Sequence, residues 1–153
     1  MLRRIIRRSV IRFCRPKIQL GCGTLQNFCR DNSGVEASIH AMKEIFDSDD
    51  CEAAMLVDAD NAFNRLNRAA ALENIQHTCP ALATYFWNTY STPSQLFLSG
   101  GKCILSQEGT TQGDNGASTI YSLSTKPLVN KLKGGNCANK FCSLTMLHLV
   151  GNC

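Results

Sequence analysis

The sequence predicts an α+β domain, and three observations predict it. Several segments carry apolar residues at helical spacing behind capping or breaking residues. One short run, Ala53–Val57, is continuously apolar, and two further short runs flank a Gly-Gly turn. These elements do not alternate as regular βα units, which points to separate helices and strands. A chain of 153 residues buries roughly 70% of its unfolded surface on folding, so it needs no staples. Its 44% hydrophobic and 18% charged content is that of a folded domain rather than a disordered chain.

The first predicted helix covers the opening residues. Leu2, Ile5, Ile6, Val10 and Phe13 recur at helical spacing, with arginines filling much of the rest. Arg15-Pro16 is predicted to end it, because a residue before proline is pushed out of the α region. Gly21–Asn32 reads as a connector. Ser33-Gly-Val-Glu36 has capping-box spacing and opens a helix with Val35, Ile39, Met42, Ile45 and Phe46 on one face. Asp47–Asp50 ends it in an acidic turn. Ala53–Val57 lacks polar alternation and suits a strand covered on both faces. Asn67 is placed to cap a helix reaching about His77, and Pro80 to open one ending near Tyr90. Gln95–Leu98 and Cys103–Leu105 flank Ser99-Gly-Gly-Lys102, a hairpin signal. A polar loop, Gln107–Asn115, leads into a helix from about Ala117 to Lys131, broken by Gly134-Gly135.

The net charge of +4 is unevenly spread: seven of the sixteen basic residues lie in the first seventeen positions, and no acid precedes Asp31. Three readings of this segment stay open. It is a solvated helix face, an Arg-rich amphipathic mitochondrial transit peptide, or a surface on which Arg3, Arg4, Arg7 and Arg8 neutralise nucleic-acid phosphates. No apolar run approaches the length of a membrane span, so no membrane partner is expected. The nine cysteines stand without a C-x-x-C pair or zinc spacing, and their odd number favours reduced thiols in the cytosol or nucleus. His40, His77 and His148 lack partners at metal spacing and read as structural or solvated.

Two segments carry candidate chemistry. In Val57-Asp-Ala-Asp-Asn-Ala-Phe-Asn64, Asp58 sits at the C-terminal end of the predicted strand, where a carboxylate can hold a hard divalent cation. Phe63, five residues on, puts a ring near whatever that cation binds. The alternative is that Asp58 caps the turn and Phe63 belongs to the core. Asp60 is two residues from Asp58 and takes the plain surface reading. In Gln107-Glu-Gly-Thr-Thr-Gln-Gly-Asp-Asn115, a glycine-bearing loop before a helix can present backbone N–H groups to a phosphate or base, or is an ordinary connector.

In this order, the two segments resemble the polymerase domain of eukaryotic retroelement reverse transcriptases. Asp58 to Phe63 resembles the first catalytic motif of the palm, and Gln112-Gly113-Asp114 resembles the Q-G-D-P motif. Leu2-Arg-Arg-Ile-Ile6, Ser33–Met42, Cys79–Ala83 and Asn88-Thr-Tyr90 resemble further stretches of the same family. The likeness implies a partial reverse transcriptase domain over residues 1–133, with a fingers remnant at 1–50 and a partial palm at 51–133. It implies that Asp58 is a catalytic ligand of two Mg²⁺ ions, aided by the carbonyl of Ala59. Phe63 would exclude a ribose 2′-hydroxyl, and Gln112 and Gly113 would line the template and nucleotide pocket. The implied partners are an RNA or DNA template-primer and deoxynucleotides, the implied chemistry RNA-directed DNA synthesis by two-metal nucleotidyl transfer, and the implied location nuclear or cytoplasmic.

Two departures limit that expectation. Asn115 stands where the family has proline. More decisively, no Asp or Glu follows Asp114, so the F/Y-x-D-D motif that completes the metal site is missing, as is a thumb. A single Asp58 leaves two cations under-coordinated, which predicts an inactive polymerase. Residues 134–153 read as a divergent tail. Suitable codons for it, read in a shifted frame, permit Ile-Leu-Phe-Ala-Asp-Asp-Ala-Thr-Phe-Gly-Gly-Lys-Leu, so the hypothesis here is a frameshift between about Gly134 and Lys140. A palm without its catalytic hairpin is expected to leave a sheet edge uncovered.

Overall fold

The computed structural model describes residues 2–24, 26, 33–49, 53–111, 114, 116–133, 139–142 and 146–151. They form an α+β arrangement in which α1 (Leu2–Cys22), α2 (Gly34–Phe46), α3 (Arg68–Thr78), α4 (Pro80–Tyr90) and α5 (Ala117–Lys133) accompany two small antiparallel sheets. Strands β1 (Ala53–Asp58), β4 (Asn139–Cys142) and β5 (Met146–Gly151) make one sheet in the order β1-β5-β4, and β2 (Ser94–Phe97) pairs with β3 (Cys103–Ser106) in the other.

The first helix does not stop at Arg15. It runs through Pro16 to Cys22, although proline removes one backbone donor and crowds the preceding turn. The reason lies in tertiary packing. Cys14, Ile18 and Cys22 follow one another at four-residue spacing and are all buried, so the stripe that feeds the core spans the proline. The helix end closes tightly on α3, since a Cβ at Gly21 would overlap the Thr78 methyl.

The core joins this stripe to Ala71 and Ile75 of α3, to Leu82, Ala83, Phe86 and Tyr90 of α4, and to Ile120 and Leu123 of α5. In α4 the buried positions step by three and four along one face, as a helix packed on one side requires. Each fully buried Ile, Leu or Phe contributes about 1.5–3 kcal/mol. The predicted caps of this layer are present: the Asn67 side chain accepts from Ala70 N–H at 3.0 Å, and Pro80 occupies the first turn of α4. Ser33 does precede α2, but its side chain makes no capping hydrogen bond. The apolar face expected of α2 stays open at Ile39 and Phe46, which are 53% and 59% exposed.

The hairpin forms where its turn chemistry places it. Gly100 and Gly101 both have positive φ, 88° and 78°, so this turn takes residues without a side chain. The tail departs from expectation. It covers one side of β1: β5 pairs with β1 antiparallel from Ala53 opposite Gly151 to Asp58 opposite Met146, β4 pairs beyond β5, and β1 stays at the end of the sheet order. Among the described residues, no helix is long and apolar enough to cross a membrane.

Cys14, Cys22 and Cys79 are buried free thiols, whereas Cys103 is exposed on β3. Burial first, then the hydrogen bond with Cys79, pushes the Cys14 thiol up to about 11. Alkylation of the native protein at mild alkaline pH should therefore modify Cys103 and spare Cys14, as read by peptide mass spectrometry. Equal labelling of the two would contradict this burial.

Candidate functional site

Site geometry begins at the end of β1. The strand places the backbone of Asp58 at its last position, while the Asp58 side chain lies outside the described residues. Ala59 is exposed. Asp60 is exposed and forms a solvent-facing ion pair of 2.7 Å with Arg65. Asn61 then adopts φ 50°, a left-handed conformation that Asn tolerates. Its carbonyl accepts from Asn64 N–H at 2.9 Å and Arg65 N–H at 3.1 Å, closing a turn that sets the position of Phe63.

Phe63 is half-buried, with its ring 5.6 Å from that of Tyr121 on α5. Its carbonyl accepts from Thr110 N–H at 2.7 Å, and the neighbouring Leu66 carbonyl accepts from Gly109 N–H at 2.9 Å. The two segments singled out in the sequence are thus stitched together through their backbones. Gly109 permits this approach, since it has φ 70° and a Cβ there would overlap the Asn64 carbonyl. Arg68 clamps the same loop, donating to the carbonyls of Gly109 (2.8 Å), Ser106 (2.9 Å) and Glu108 (3.0 Å). Its guanidinium also lies 5.1 Å from the centre of the Tyr90 ring.

Asp114 anchors the far end of the loop. Its carboxylate pairs with Arg7 at 2.9 Å, accepts from the Tyr90 hydroxyl at 2.6 Å and accepts from Gly116 N–H at 2.9 Å. Arg7 in turn donates through Nε to the Tyr85 hydroxyl at 2.5 Å. The Asp114 side chain is wholly buried and that of Arg7 is 8% exposed. Burial first, then the bond to Asp114, holds the Tyr90 phenol above its ordinary range.

This geometry corrects one expected contact. Arg7 does not belong to a solvent-facing phosphate surface, because its charge is spent inside on Asp114. Arg4 and Arg8 are exposed on α1, as is Arg12; the Arg3 side chain lies outside the described residues. Cleavage near Arg15, as a transit peptide requires, would remove both Arg7 and the core residue Cys14. Gln112, Gly113 and Asn115 also lie outside the described residues, although their neighbours Thr111 and Asp114 are fixed through Tyr90.

Sequence reasoning missed Arg7, Arg68, Tyr85, Tyr90 and Asp114 as a connected set. One signal was present: Arg7 stands seven residues before Cys14 and eleven before Ile18, which is the phase of the buried stripe. A lone arginine on an apolar stripe calls for a buried acid. Nothing in the spacing pointed to Arg68, whose carbonyl partners lie about forty residues away.

The residues present do not fit a two-magnesium centre. Met146 stands opposite Asp58 in the sheet, no carboxylate follows Asp114 in the chain, and Asp114 is saturated by its own donors. Among the described residues no group of three His, Cys, Asp or Glu side chains is placed to hold a metal. No protein-family profile, curated protein or solved structure matches the chain.

Proposed function

We propose that the chain is a reverse-transcriptase-like fragment, a fingers remnant with part of a palm, that has lost polymerase activity. The observation that carries this reading is the contact between the two motif-like segments, in which Thr110 N–H donates to the Phe63 carbonyl at 2.7 Å. The contact brings together, across 47 residues of sequence, the two stretches on which the resemblance rests. The hairpin β4–β5 beside β1 adds support. Carboxylates that complete a metal site with Asp58 have to arrive on a neighbouring strand, and this hairpin has the backbone for it but no acid.

In this reading Mg²⁺ is an ancestral cofactor. The reading assigns Phe63 to the sugar of a deoxynucleotide and the 107–114 segment to template and base. A second role, binding nucleic acid without chemistry, is favoured by the exposed Arg4, Arg8 and Arg12 on α1.

One experiment addresses both. The parent protein is expected to bind a template-primer in a salt-sensitive way and to add no nucleotide with Mg²⁺. Replacing residues 140–152 by Ile-Leu-Phe-Ala-Asp-Asp-Ala-Thr-Phe-Gly-Gly-Lys-Leu should yield Mg²⁺-dependent addition of a nucleotide that Asp58→Ala abolishes. A folded replacement that neither binds template-primer nor extends it would overturn the polymerase ancestry. Robust extension by the parent would overturn the inactivity.

A further inference from the structure

A cavity lies between α3, α4 and the start of the 107–115 loop. Its volume is about 590 Å³, within the range of small-ligand sites, roughly 300–1,000 Å³. Leu72 and the buried Phe86 form its apolar floor, and Trp87, 55% exposed, forms an aromatic wall. Glu73 from α3 and Glu108 from the loop stand at its rim, both exposed.

The charge of this cavity decides what it can take. Arg68 is the one cation among the described lining residues. Its Nε and both terminal nitrogens already donate to the carbonyls of Gly109, Ser106 and Glu108, and its face lies over Tyr90. It therefore has little left to offer a ligand anion. The groups still able to engage a charged ligand are the two carboxylates and the face of an indole. A phosphate or carboxylate entering here would meet Glu73 and Glu108, so the cavity disfavours nucleotides. A flat cation on an apolar stem finds matching groups here, stem against Leu72 and Phe86, plane against Trp87 and N–H groups toward the carboxylates, and the two carboxylates outnumber the single Arg68 charge.

We infer that the α3–α4 cavity is a binding site for an arginine side chain presented by a peptide, with Trp87 as the stacking face and Glu73 and Glu108 as the charge partners. The site does not depend on the polymerase-like reading, although Glu108 lies at the start of the 107–115 loop.

Trp87 is the chain's single tryptophan, so its fluorescence reports on this cavity without a label. Titration of the full chain with a blocked arginine amide should shift Trp87 emission saturably. Blocked citrulline has the same shape without the charge, and it should bind weakly or not at all. Glu108→Gln and Glu73→Gln, both at exposed positions, should each weaken the arginine probe by about fivefold while the circular dichroism spectrum stays that of the parent. An absent response to the arginine probe, an equal response to citrulline, or unchanged affinity in both variants would overturn the assignment. Tighter binding of adenosine monophosphate than of the arginine probe would overturn it too.

Discussion

Asp114→Ala should lower the stability of the folded chain by about 3–5 kcal/mol, the cost of leaving one partner of a buried ion pair without the other. The Asp114 side chain has no exposed surface, and it receives the Arg7 guanidinium, the Tyr90 hydroxyl and the Gly116 N–H. Removing the carboxylate strands a buried cation and a buried phenol together. A single domain has a total stability of only about 5–15 kcal/mol, so this loss is a large share of it. Arg7→Met should cost less than Asp114→Ala, because methionine refills much of the arginine stem's volume but leaves the carboxylate facing only neutral donors. The double variant Arg7→Met with Asp114→Leu should lose clearly less than the sum of its two single changes, since no orphaned charge remains. Urea denaturation of the parent, the three single variants (Asp114→Ala, Arg7→Met and Asp114→Leu) and the double variant measures this. An Asp114→Ala midpoint indistinguishable from the parent would mean that the buried pair holds nothing together.

The same pair explains why some of the fold was legible in the sequence and some was not. Elements set by local chemistry were readable: the Asn67 cap, Pro80 at a helix start and the Gly-Gly turn of the β2–β3 hairpin each act through neighbours a few residues away. The end of α1 was not. Pro16 is a local stop signal, and it lost to the burial of Cys14, Ile18 and Cys22, which depends on α3, α4 and α5 being present. The strand pairing of the tail was not legible for a related reason. Its lack of carboxylates is a chemical fact about its side chains, but strand pairing with β1 uses backbone groups that every residue carries. The site divides in the same way. The stretches 57–64 and 107–115 were singled out from motif order, whereas the Arg68 clamp and the Arg7–Asp114 pair exist only once the chain has closed.

Gly109→Ala tests that closure directly, and its effect should rival the loss of Asp114. Two costs act at this position. The left-handed conformation at φ 70° charges any L-residue with a side chain about 1–2 kcal/mol. The new methyl would also overlap the Asn64 carbonyl, which is backbone and has no rotamer to yield. The loop must then lift from the Phe63 turn. That breaks Thr110 N–H to the Phe63 carbonyl and Gly109 N–H to the Leu66 carbonyl, each contributing about 1 kcal/mol. The expected total is roughly 3–4 kcal/mol. Gly100→Ala provides the internal comparison. Gly100 has φ 88° and nothing within 4 Å of its would-be Cβ, so it bears the conformational cost alone. The difference between the two variants therefore isolates the contact between the motif-like segments from backbone strain. Hydrogen exchange should show faster exchange at Thr110 in Gly109→Ala and unchanged exchange there in Gly100→Ala. Equal destabilisation by the two substitutions, with Thr110 still protected in both, would mean that the 109–110 strip does not hold the Phe63 turn, and the contact on which the polymerase-like reading rests would lose its physical basis.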